Sequence, residues 1–197
     1  MNLIRVFALP LLILATASSY SQTPPPAQDK ARAEAMAKLA PITKAMRAKQ
    51  YQVAANECDK LMKSDQKLRP AASQYKLMAM SLGNLKGLDT FILSIGNESF
   101  AKSANALNQI IWIVVEKDLK LTPSAYKSAV KLGEKMMALA PKDGMMMDTY
   151  ALALFRSGDK AKALAMQKQA VQLAASDKRV DTKTLGEMKG RIKQFGG

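Results

Sequence analysis

Histidine is absent from the chain, and cysteine occurs once, at Cys58. Without histidine there is no imidazole general base, no Ser-His or Cys-His nucleophile pair, and almost no way to build a zinc or haem site. A single cysteine excludes an internal disulfide and a CxxC redox pair. Glycine (10) and proline (8) are few among 197 residues, which argues against a β-rich fold with many tight turns. Nor is there a GxSxG elbow, a phosphate loop or a metal-ligand spacing. The expectation is a non-enzymatic protein that needs no cofactor and no metal.

Basic residues are abundant: 30 Lys and Arg stand against 16 Asp and Glu, a formal charge of +14. Residues 1–21 read as a secretory signal. Arg5 gives the positive start, and Val6 to Ala17 an apolar stretch too short for a bilayer, which needs about twenty helical residues. Cleavage is expected before Gln22, with cleavage after Ala17 as the alternative. It would remove one basic residue and no acid, leaving +13. The chain is therefore expected to be bacterial, to lie in the periplasm or outside the cell, and not to span a membrane. Residues 22–28 (QTPPPAQ) read as an extended proline-rich linker before a domain at 29–197.

From Asp29 onward the apolar residues follow helical spacing, with no segment of period two. Tyr51, Ala54, Ala55, Cys58, Leu61 and Met62 form one stripe; Leu107, Ile110, Ile111, Val114 and Val115 form another. The punctuation agrees: Thr122-Pro123 is an N-cap with proline at N1, and Pro141 to Gly144 and Ser157-Gly158-Asp159 separate helices. Pro41 is expected to kink or break the first helix. The spacing predicts helices at 29–48, 50–63, 70–82, 86–95, 99–117, 123–140, 145–157, 160–175 and 182–194. Short connections imply an all-α array of antiparallel hairpins, with 182–194 capping its end.

Periodicity refines this. The Gly83-Asn84 turn follows Lys49 by 34 residues, and Ala175 follows Pro141 by the same distance. Gly158-Asp159, Ala163 and Ala170 supply a glycine turn and small residues where paired helices must approach. This plan resembles the tetratricopeptide repeat, although Ala175 and Met147 stand where that repeat favours proline and tryptophan. The runs LNQIIWIVV (107–115), SAVKLGEKMMALAP (128–141) and MDTYALALFRSGDKAKALAMQKQAV (147–171) are also similar to the helical tail of exported bacterial thioredoxin-like proteins. The chain departs from that tail at Ile111, where alanine is usual, and in having no thioredoxin domain before it. The resemblance implies a free-standing helical interaction module, or an accessory to a separate thioredoxin-like protein.

In such repeats the first helix of each pair lines a groove. Aligning two first helices sets Asn108 against Asp148 and Trp112 against Leu152, each 40 residues apart, with Ser73 and Leu77 at the corresponding places of an earlier repeat. Asn105, Asn108 and Trp112 share a helix face. Asn and Asp there can hold a peptide backbone, and Trp can anchor it; alternatively the Asn bonds between helices and the Trp fills the core. The partner-binding groove is thus expected at Ser73, Leu77, Asn105, Asn108, Trp112, Asp148 and Leu152, with a protein as partner.

Lys127, Lys131 and Lys135 form a basic stripe that Lys120, Lys142, Lys160 and Lys162 could extend. It suits anionic envelope polymers or is simply a solvated face. Few aromatics interleave it, so nucleic acid is not an expected partner. Met136, Met137, Met145, Met146 and Met147 read as core filler, with Cu(I) binding as the alternative. Cys58 lies on an apolar stripe, and Glu57 and Asp59 beside it oppose a thiolate.

Overall fold

The computed structural model describes residues 26–98, 100–115 and 119–197. The signal segment, its cleavage point and linker residues 22–25 lie outside the described residues. Among those described there are nine helices and no strand, an all-α helical array. None of these helices is long and apolar enough to cross a membrane. The chain divides into two compact units, Met1–Gly83 and Asn84–Gly197.

The first unit holds α1 (Pro26–Arg47), α2 (Tyr51–Ser64) and α3 (Arg69–Gly83), with α2 packed on both neighbours. Helix α1 starts at Pro26, so residues 26–28 are helical rather than extended. Nor does Pro41 end it: α1 runs through the proline to Arg47. Burial of Leu39, Ile42, Ala45 and Met46 on either side of Pro41 offsets the lost backbone bond. The turn into α2 uses Lys49 in the left-handed region (φ 57), with Gln50 N–H donating to Ala45 O at 2.9 Å. Ala54, Ala55, Cys58 and Leu61 are buried on α2 as the spacing predicts. Asp65 organises the next turn by accepting from the Lys67 and Leu68 amides. The bond from Lys38 Nζ at 2.7 Å is the main reason that the Asp65 carboxyl is held below its ordinary range.

The second unit holds α4 (Leu88–Asn97), α5 (Ala104–Val115), α6 (Pro123–Leu139), α7 (Gly144–Ser157), α8 (Lys160–Ala175) and α9 (Thr182–Gln194). Helix α5 begins five residues later than the spacing predicts, because Ser103 Oγ accepts from Ala106 N–H and starts the helix there. Thr122, Asp143, Asp159 and Asp181 cap α6, α7, α8 and α9 with their side chains. Gly158, at φ 98, closes α7 and leaves a two-residue turn into α8. Two long helices joined by such a turn must lie antiparallel, and α7 and α8 pack along their length. Helix α5 touches both α6 and α7, α6 packs on α7 and α4, and α9 closes on α8. The core contains Leu107, Ile110, Ile111, Val114, Leu132, Met136, Met147 and Ala170.

Candidate interaction site

Helix α5 turns Leu107, Ile110, Ile111, Ile113, Val114 and Val115 inward. What remains for its outer side is Asn105, which is exposed, and Asn108, Gln109 and Trp112, which are half-buried. These four positions fall at i, i+3, i+4 and i+7, one face of a helix. Trp112 is therefore at the edge of the core and not inside it. Asn108 Oδ1 is buried and has no hydrogen-bond partner among the described residues. Such an acceptor is costly to leave unsatisfied. Gln109 belongs to this face and was not among the expected groove residues; its place one turn after Asn105 was the available signal.

The other expected groove residues are placed differently. Ser73 and Leu77 are buried on α3, with Ser73 Oγ against Met62 Sδ at 3.1 Å. Leu152 is buried on α7. Asp148 is also buried and is already occupied. Arg191 Nη1 from α9 donates to its two oxygens at 2.8 and 2.6 Å, and Gln167 Nε2 from α8 donates to Oδ1 at 2.6 Å. Gln167 also donates to Met188 O at 3.0 Å, so one side chain joins α7, α8 and α9. Asp148 therefore fastens the chain's own last helix and is not a groove residue open to a partner. Sequence spacing could not show this, since Arg191 lies 43 residues beyond Asp148 and nothing local links them.

Lys127, Lys131 and Lys135 are exposed along α6, as expected of a solvated stripe. Lys135 Nζ is bonded to Asn97 Oδ1, and Glu134 is exposed on the same helix. Of the methionines, Met136, Met146 and Met147 are core, while Met145 is exposed. Cys58 is fully buried, and burial first, then the nearby Asp59 charge, pushes its thiol up to about 12. An open cleft of about 310 Å³ between α1 and α2 is lined by Lys38, Ile42, Glu57, Lys60 and Asp65. Its charges are already matched within it, Lys38 to Asp65 and Lys60 to Glu57. Among the described residues no group of three or more Cys, Asp or Glu is placed to hold a metal ion.

Comparison of the chain with protein-family models, with curated proteins and with solved structures finds no match.

Proposed function

We propose that the protein is an exported, non-enzymatic interaction module of tetratricopeptide-like build, which binds a peptide segment or helix of a protein partner on the outer face of α5. The observation that carries this reading is the Asn108 carbonyl oxygen, buried with no partner among the described residues, between exposed Asn105 and half-buried Trp112. A peptide N–H can satisfy that oxygen once the half-buried Asn108 side chain turns outward, and the indole can cover apolar contact beside it. The absence of histidine and of a metal-ligand spacing is in keeping with binding rather than catalysis.

The test is a crosslinking capture from native cell-envelope extract, with residues 22–197 as bait, washed at low and high salt. A partner held through high salt and lost with Trp112→Ala and Asn108→Ala, while both variants melt as the parent does, supports the α5 site. If the captured protein is thioredoxin-like, the accessory role follows. Capture indifferent to both substitutions refutes it. A second reading has its own observation, the exposed Lys127, Lys131 and Lys135 on a chain of charge +14. Docking on anionic envelope polymers through that stripe would vanish at high salt and ignore Trp112.

A further inference from the structure

Helix α9 is held by few groups. Within its span only Met188 is buried, against Met147, Ala170 and Ala174, and Phe195 follows with its ring stacked on Phe155 at 4.4 Å. Leu185 and Val180, both half-buried, pack against the same cluster. The polar attachment is Arg191 on the Asp148 carboxylate, and Gln167 bridging Asp148 to the Met188 carbonyl. Gln167 is fully buried there, yet its Oε1 has no partner among the described residues, an acceptor that water would satisfy once α9 left.

The helix itself is weakened from within. Gly186 and Gly190 stand one turn apart, and a Cβ at either would meet nothing within 4 Å. No close approach requires glycine at these two places. Each lowers the helix–coil equilibrium by roughly four- to fivefold relative to alanine. The loop before α9 is, by contrast, tied down: Arg179 bonds both Asp177 and Asp143. Release of α9 therefore pivots after Arg179 and leaves the α7–α8 pair intact.

We propose that the α7–α8 face bearing Asp148, Gln167 and Met147 is a helix-binding site whose occupant is the chain's own α9, seated as a reversible latch. The ligand class is a helix with Met, Arg and Phe at the spacing of Met188, Arg191 and Phe195. This site is separate from the α5 face, and neither depends on the other.

Hydrogen exchange on the full chain, read by mass spectrometry, tests the latch. Amides of residues 182–194 should exchange at least about tenfold faster than those of α7 and α8. The double substitution Gly186→Ala and Gly190→Ala should slow α9 by roughly twentyfold with α7 unchanged. Arg191→Ala should speed α9 and leave α7 protected. A labelled peptide of residues 180–197 should then bind the full-chain Arg191→Ala protein more tightly than the parent. Exchange of α9 in step with α7 and α8 in every variant would show a permanent cap and overturn the latch. A peptide that binds neither protein would overturn the site.

Discussion

Gly144→Ala is the sharpest probe of how closely α7 and α8 approach. Gly144 is the first residue of α7, and a Cβ there would stand 2.7 Å from the Ala174 nitrogen and 2.8 Å from the Ala170 oxygen. Leu173 Cβ would be 3.1 Å away. The two nearest atoms are backbone, so no side-chain rotation relieves the contact. Restoring ordinary spacing near 3.4 Å requires α7 and α8 to part by about 0.7 Å at this end, a gap that forfeits a quarter to a half of the dispersion energy of the atoms it separates. Overpacking of this kind costs about 1–3 kcal/mol. The helix-propensity gain of Gly→Ala, at most about 1 kcal/mol and smaller in a first turn, offsets part of it. The net expectation is a loss of about 1–2 kcal/mol, and a melting temperature lower by roughly 4–10 °C for a unit of this size. Thermal and urea melts followed by circular dichroism measure it, with Gly186→Ala as the counterpart. That substitution meets open space and should stabilise by up to about 1 kcal/mol. A Gly144→Ala protein as stable as the parent would show that the helix ends are not in the contact described.

Three further outcomes are expected. Asp148→Asn or Arg191→Ala should cost about 2–3 kcal/mol in urea melts, because either leaves a largely buried partner uncompensated; Arg191 retains some solvent contact, which keeps the loss below that of a fully buried pair. Cys58 should resist alkylation at pH 8 in the folded protein and react at once in denaturant, since its thiol is fully buried and titrates near 12; equal rates in both states would contradict its burial. Asp65, Asp177 and Asp181 all have lowered values, owing chiefly to Lys38, to Arg179 and to the Thr184 amide. A carboxyl more acidic in the folded state stabilises it above the unfolded value of 3.8 and ceases to do so as pH falls through the folded value. The melting temperature should therefore hold from neutral pH to about pH 5 and drop below pH 4, and a flat profile to pH 2 would refute the three contacts.

The helices were legible in the sequence where their ends carry local chemistry. Thr122-Pro123 marks the start of α6 and Gly158-Asp159 the α7–α8 turn, each within the few residues that form the cap. Pro41 misled because proline reports a lost backbone bond, whereas burial of Leu39, Ile42 and Met46 around it reports the packing that keeps the helix whole. Candidate-site residues were legible only in part. The α5 face follows from spacing along one helix, so Asn105, Asn108 and Trp112 do share an outer side. The fate of Asp148 depends on Gln167 and Arg191, 19 and 43 residues away, which no periodicity within α7 can reveal. Ser73 and Leu77 were placed by repeat alignment, which matches positions along the chain and carries no information on what covers them.

The contact plan of α5 to α9 bears on how this part of the chain folds. Helix α5 meets α6 and α7, α6 meets α7, α7 meets α8, and α8 meets α9. Every partner is thus the next or next-but-one segment in sequence, so each docking event closes a short loop at little entropic cost. Topologies of this low contact order fold within milliseconds or faster. The two-residue turn between α7 and α8 makes that hairpin the natural nucleus, from which order spreads by neighbouring helices.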